Sequence, residues 1–336
     1  MPMLRNTNRV TLKKVALSCG YSANTVSRAL RGDERLPDAT RERIIRTARD
    51  MGYVPNSSAC TLRLGNSRTI AVVINDINNP YYTNMVSEID RFLSETQYRM
   101  MILPCRDDEE TAGKMIEMAI SHCVDGIMFF PYNNKAHILR LQQSGIPFVL
   151  MDRWLSGVET NVVRLDDEAG GYVAAECLIK LGHRRILYIA GPNVNSSQID
   201  RQKGILKAFS DFGLSRDTLA TLPWDKLSDG IKTTDYHTLF NPRDYSAVIA
   251  YNDYIAYNCI NDLRAHGVRV PEDLAMIGFD YIRRYNSCFL PLSSVSAADR
   301  SVAEVAVQLL MRHILNPRLP KQEIVLPVSI RHGGTA

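Results

Sequence analysis

Apolar residues near the start of the chain recur at helical spacing. Leu12, Val15 and Ala16 form one set, Val26, Ala29 and Leu30 a second, and Ile44, Ile45 and Ala48 a third. Each set fits one face of a short helix. Thr11 is placed to cap the first helix, Gly20 to end it, and Ser22 to cap the second. The spacing runs that second helix from about Ala23 to Leu30. Two helices joined by so short a turn make a helix-turn-helix, whose second helix lies in the DNA major groove. Ala23, Asn24, Ser27 and Arg28 fall on or near one small or polar face of it. Asn suits an adenine edge, and Arg a bidentate contact to guanine. A three-helix bundle whose polar face is merely solvated would carry the same periodicity.

From Thr69 the pattern changes to short β-rich runs: Thr69 to Ile74, Arg99 to Leu103, Gly126 to Phe130, Pro147 to Met151, Arg185 to Ala190, Ser246 to Ala250 and Leu274 to Ile277. Helical stretches such as Tyr81 to Thr96, Asp167 to Leu181 and Ile255 to Ala265 lie between them. This alternation predicts parallel sheets flanked by helices. About 260 residues exceed one compact sheet, so two lobes are expected. Ligands in such folds bind beyond the carboxyl ends of strands. Those ends carry Asp76, Asn79 and Tyr81, then Asp152, then Arg201, then Asn252, then Asp280. Carboxylate, amide and guanidinium groups pair well with vicinal hydroxyls, and the faces of Tyr81 and Trp224 suit a sugar's C–H patch. Taken singly, an Asp at a strand end caps a helix and a Trp fills core. Polar groups repeated at five strand ends are harder to explain that way.

Charge divides the chain as the pattern does. Up to Arg68 the net charge is +8, and the remainder carries −4. A small basic head fits a polyanion such as nucleic acid. The seven cysteines form no CxxC pair and the seven histidines no HxxxH pair. No metal site and no cofactor is expected from them. GxGxxG, GxxxxGK[ST] and GxSxG are absent, so an enzyme is not expected. No apolar run is long enough to span a bilayer, and Met1 to Arg9 has no apolar leader. The expectation is a cytoplasmic, nucleoid-associated protein rather than a membrane protein or an exported solute-binding protein.

The segment Thr11 to Leu64 resembles the headpiece of the LacI/GalR family of bacterial transcription regulators. The resemblance rests on Thr11-Leu12-Lys13, Val15-Ala16, Gly20, Ser22, Thr25-Val26-Ser27-Arg28, Leu30, Gly32, Thr40-Arg41, Gly52-Tyr53, Pro55-Asn56, Ala59 and Leu62. It implies operator contacts from Thr11, Ala23, Asn24, Thr25, Ser27 and Arg28, and from a hinge helix bearing Asn56, Ala59 and Leu62. Leu62 would be the apolar wedge in the minor groove. Lys14, Pro37 and Cys60 stand where the family usually has Asp, Ser and Arg. Asp38 is expected to cap the third helix in place of the missing Ser.

The body resembles the family's effector domain in Asp76 to Tyr81, Val124-Asp125-Gly126-Ile127, Met151-Asp152-Arg153, Leu181-Gly182-His183-Arg184-Arg185-Ile186, Gly191-Pro192, Asn252-Asp253, Pro271-Glu272-Asp273-Leu274 and Gly278-Phe279-Asp280. That domain has the fold of periplasmic sugar-binding proteins. The implied domains are a helix-turn-helix headpiece (1–54), a hinge (55–67) and a two-lobed effector body (68–336). Lobe 1 would hold about 68–165 and 298–324, and lobe 2 about 166–297 and 325–336. The resemblance ranks Arg201, Asn252 and Asp280 first as effector contacts. Asp152 and the Asn79-Pro80-Tyr81 corner follow, then Trp224. It also implies a homodimer on a palindromic operator of double-stranded DNA, with Ile89 to Leu93 in the dimer face. Without C-terminal leucine heptads, no coiled-coil tetramer is expected. A sugar effector leads, with a purine or nucleoside stacked on Tyr81, Tyr82 or Phe279 as its rival.

Overall fold

A computed structural model of the chain describes residues 10–54, 66–106, 108–193, 195–227, 234–282 and 290–336. The expected hinge contacts Asn56, Ala59 and Leu62 lie outside the described residues. The chain divides into two units, one ending at Ser67 and the other running from Arg68 to Ala336.

The first unit holds α1 (Leu12–Cys19), α2 (Ala23–Leu30) and α3 (Asp38–Asp50). Thr11 Oγ1 accepts from the Lys14 amide, and Gly20 closes α1 at φ 77°, a left-handed conformation that glycine adopts without strain. Ser22 Oγ accepts from the Thr25 amide and starts α2. Val15, Ala16, Cys19, Val26, Ala29, Ile44 and Ala48 form the buried core. Ile45 is instead exposed. The third cap differs from expectation. Pro37 holds the N-cap position with no side-chain bond, and Asp38 is already helical. Its carboxylate pairs with Arg41 one turn on, so the helix starts on Pro37's fixed φ rather than on a side-chain cap.

The second unit has two six-stranded sheets. The first contains β1 (Thr69–Ile74), β2 (Arg99–Pro104), β3 (Gly126–Phe129), β4 (Phe148–Met151), β5 (Val162–Leu165) and β11 (Glu323–Leu326). Its order is β2-β1-β3-β4-β5-β11, all parallel. The second contains β6 (Ile186–Ile189), β7 (Leu219–Leu222), β8 (Ala247–Ala250), β9 (Ala275–Phe279), β10 (Ser293–Ala297) and β12 (Val328–Arg331), in the order β7-β6-β8-β9-β10-β12. Here the expectation of parallel sheets needs correcting. β12 runs antiparallel to β10, because only Pro327 separates it from β11 in the other sheet.

Helices cover both faces of each sheet. In lobe 1 these are α4 (Pro80–Ser94) and α11 (Val302–Leu315) on one face, and α5 (Glu109–Ser121) and α6 (Lys135–Ser144) on the other. In lobe 2, α7 (Asp167–Lys180) and α8 (Ser196–Asp211) oppose α10 (Asp253–Ala265) and the single turn α9 (Tyr236–Leu239). β1 shows why its strand reads as a continuous apolar run. Ile70, Val72 and Ile74 enter one core, and Ala71 and Val73 the other.

The chain crosses between lobes after Leu165, after Ala297 and at Pro327. The last crossing falls later than the expected boundary after Ile324, because Leu326 still pairs with Leu165 in β5. The segment Ile89 to Leu93, expected in the dimer face, is divided between core and surface. Ile89 and Leu93 are buried in the lobe 1 core, and the outer side of α4 offers Asp90 and Arg91. Among the described residues, no helix is long and apolar enough to cross a membrane.

Candidate functional site

Strand order reverses between β1 and β3 in one sheet and between β6 and β8 in the other. Each reversal opens a crevice at the carboxyl ends. The two sets of strand ends meet across one cavity. Asn79, Tyr81, Tyr82, Asp152, Arg153 and Leu165 line it from lobe 1, and Asp167, Ser197, Arg201, Tyr251, Asn252 and Asp280 from lobe 2. Its free space is about 40 Å³, enough for a few waters but not for a pyranose ring.

Arg201 organises the lobe 2 wall. It projects from α8, which is bedded against α7 at two glycines. A Cβ at Gly204 would lie 1.9 Å from the Glu168 carbonyl oxygen, and one at Gly171 2.0 Å from that of Arg201. Only glycine permits that approach. It brings Asp167, at the start of α7, to Arg201, with Nε donating to Oδ1 at 2.7 Å. Arg201 also donates to the Tyr251 carbonyl, and Asp280 Oδ1 stands 4.0 Å from it. The guanidinium lies 4.9 Å from the Tyr251 ring and 4.3 Å from that of Phe279. Burial opposes its charge, but Asp167, Tyr251 and Asp280 outweigh that and raise its pKa.

The carboxylates pull the other way. Burial pushes Asp280 well above the usual range despite Arg201, and raises Asp167 too. Burial likewise raises Asp152 to about 6, against the hydrogen bond from Tyr81. The Tyr81 hydroxyl donates to Asp152 Oδ2 at 2.5 Å. Asp152 Oδ1 is buried and has no hydrogen-bond partner among the described residues. Asp152 and Asp280 also hold φ values of 66° and 101°, a conformation that non-glycine residues keep only where the surroundings impose it. Both follow directly on a strand end, one in each lobe.

The structure brings together Asn79, Tyr81, Asp152, Arg201, Asn252 and Asp280. Asn79 and Asn252 also cap helices, accepting from the amides of Tyr81 and Ile255. Trp224 and Asp76 do not line the cavity. Trp224 packs against the α10-side core of lobe 2, and Asp76 turns back to its own loop, accepting from the Asn78 amide and side chain. Ser197 and Tyr251, polar residues that also follow strand ends, line the wall too, and so does Asp167, which the sequence does not single out. Ser197 and Tyr251 bond through their hydroxyls at 2.9 Å, and the Tyr251 ring lies where a Cβ on Gly191 would be. His183 closes the turn after α7 through its amide, which donates to the Leu178 carbonyl.

In the headpiece, Asn24 is exposed at the start of α2, with Thr25, Ser27 and Arg28 half-exposed. Thr25 Oγ1 is bonded to Ser22 Oγ, and the Ser27 carbonyl accepts from Arg31. Arg28 donates through Nε to Asp33 at 2.8 Å. Hydrogen bonds from Arg35 and then Arg28 hold Asp33 below the usual carboxylate range. That pairing orients the guanidinium through its inner nitrogen. Ala23 packs against the headpiece core and Thr11 serves as a cap, so both have structural work besides any DNA contact.

A helix-turn-helix joined to a two-lobed body with a polar cleft defines a ligand-responsive DNA-binding regulator. Residues 11–56 match the model of bacterial regulatory proteins of the lacI family, and residues 175–336 a periplasmic binding protein-like domain. The chain is 30% identical over 330 residues to the HTH-type transcriptional regulator CelR of Thermobifida fusca, covering 96% of this chain and 97% of that one. A solved complex of a transcriptional regulator CelR with cellobiose matches with a TM-score of 0.69 at 26% identity, over 98% of this chain and 100% of that one. The lac repressor dimer bound to operator has the same fold, with a TM-score of 0.81 at 21% identity over 97% of this chain and 99% of that one. The chain belongs to the lacI family of bacterial regulatory proteins. It is a DNA-binding transcriptional regulator.

Proposed function

We propose that this regulator binds an inverted-repeat operator as a homodimer, acting as a repressor in the cytoplasm at the nucleoid. A hydroxyl-rich small molecule of the sugar class, held between the lobes, controls that binding, and the protein has no enzymatic activity of its own. Asp152 Oδ1 carries the reading. Among the described residues it is a buried acceptor with no donor, in a cleft already furnished with Asn79, Asn252, Asp280 and Arg201, and a ligand hydroxyl supplies what it lacks. CelR's cellobiose supports the sugar class. A purine needs an open aromatic face. Tyr82 and Phe279 are buried, Arg201 stands over the rings of Phe279 and Tyr251, and Tyr81 is held edge to face with Tyr82 and Phe130 while its hydroxyl bonds to Asp152.

The test is a thermal-shift screen of sugars, polyols and nucleosides, followed by anisotropy titration of operator DNA with each hit. A sugar that stabilises the protein and changes operator affinity supports the reading. A nucleoside hit with every sugar silent overturns the ligand class.

Two further outcomes follow from the same groups. Asp152 is ionised above about pH 6, and an ionised carboxylate accepts from two hydroxyls more strongly than a neutral acid. Effector affinity should therefore fall as pH drops through about 6, and Asp152→Asn should remove that inflection. Calorimetric titration across pH 5 to 8 measures both. In the headpiece, Arg28→Ala should cost about 1–3 kcal/mol of discrimination at one symmetric base pair. Equal loss on operator and random DNA would remove Arg28 from base reading.

A further inference from the structure

Lobe 2 carries a second polar cluster, separate from the cleft. His237 lies in the single turn α9, while Asp262 and His266 lie at the end of α10. We propose that these three side chains bind one divalent transition-metal ion of the zinc class.

The carboxylate is already oriented for it. The His237 amide donates to Asp262 Oδ2 at 2.7 Å, fixing the group as an outer hydrogen bond fixes a metal ligand. Oδ1 then faces both imidazoles. It is 3.0 Å from His237 Nδ1 and 3.5 Å from His266 Nδ1. Ligand atoms about 2.0–2.1 Å from a tetrahedral zinc are about 3.3 Å apart, and the two distances bracket that value. One ligand atom from each residue lies within 4.8 Å of the others.

The metal-free arrangement is a collapsed form of the site. The rings stack with centroids 3.5 Å apart and 20° between their planes. His266 Nδ1 also bonds to the Asp262 carbonyl at 2.8 Å. Binding needs the rings to splay and each neutral imidazole to carry its proton on Nε2. The side chains of His237 and His266 are 30% and 47% exposed, so the rings have room to turn and the ion can reach them from solvent. Three protein ligands leave a fourth position for water.

The placement gives the ion a structural consequence. It would clamp α9 to the C-terminal end of α10, whose N-cap Asn252 lines the effector cleft. Thirteen helical residues put the two ends about 20 Å apart. The metal is therefore a second ligand, independent of the effector.

Untagged full-length protein, freed of metal by a chelator, would be titrated with Co²⁺ and read by its visible d–d absorption. The expected result is one Co²⁺ per chain, displaced by Zn²⁺, and at least about tenfold weaker binding in His237→Ala and Asp262→Asn. His266→Gln, at the most exposed ligand, provides a variant that keeps the fold, checked by far-UV circular dichroism. It should weaken Co²⁺ binding to the same degree. Absence of a saturable signal at one equivalent, or an unchanged signal in His266→Gln, would overturn the proposal. Effector binding to the cleft should persist in every one of these variants.

Discussion

Arg201→Ala should cost about 3–5 kcal/mol of stability and abolish the response to effector. Removing one partner of a buried ion pair strands the other's charge. Here the stranded groups are Asp167, buried at 2.7 Å, and Asp280, half-buried at 4.0 Å. Both already sit above the ordinary carboxylate range with Arg201 present. Without it they hold protons over a still wider range of pH. The folded state then binds more protons than the unfolded one, so the variant's stability falls as pH rises. The deficit should be largest at pH 8 and should shrink toward pH 5. Urea unfolding at both values checks the sign. A pH-independent deficit would mean that lost packing against Phe279 and Tyr251 is the cause, not uncompensated charge.

Gly204→Ala should be nearly as severe, for a different reason. The added Cβ meets the Glu168 carbonyl at 1.9 Å and the Tyr172 amide at 2.7 Å. Both are backbone atoms of α7, so no rotamer change relieves the clash. The helices must separate, at about 1–3 kcal/mol or more. Asp167 begins α7 and Arg201 lies one turn before Gly204, so separation also opens the ion pair. The expected result is a lowered Tm with an effector response impaired beyond what stability explains. A variant that is destabilised yet responds normally would detach the helix contact from the site.

Headpiece and strand cores were legible in the sequence because their signals are local. Capping residues and 3.6-residue spacing placed α1 and α2, and continuous apolar runs placed β1 and β8 to within a residue. β10 was missed because its sequence, Ser-Ser-Val-Ser-Ala, carries no apolar run. Its serines are buried because they are bonded, Ser294 to Asp253 and Ser293 to the Ala336 carbonyl. Such partners, 41 and 43 residues away, leave no local trace. The same holds for Asp167, which reads as an ordinary first-turn acid until the fold sets it against Arg201. The placement of Trp224 against the lobe 2 core is not legible, because an aromatic residue near a strand end has the same local pattern whether it faces a ligand or a core. The His237–Asp262–His266 cluster was invisible for two reasons. Its ligands are 25 residues apart along the chain, and a search for histidine pairs passes over Asp-x-x-x-His.

On the proposed function, one small molecule in the cleft and one operator are energetically linked. Linkage is reciprocal, so an effector that alters operator affinity must have its own affinity altered by the same factor when DNA is bound. The direct test starts with DNA selected from a random pool by the full-length protein, followed by calorimetric titration of the sugar hit into free and DNA-bound protein. The expected result is an inverted repeat occupied by two chains, and sugar affinities that differ between the two states by at least about fivefold. Equal affinities, or selected DNA without two-fold symmetry, would contradict it.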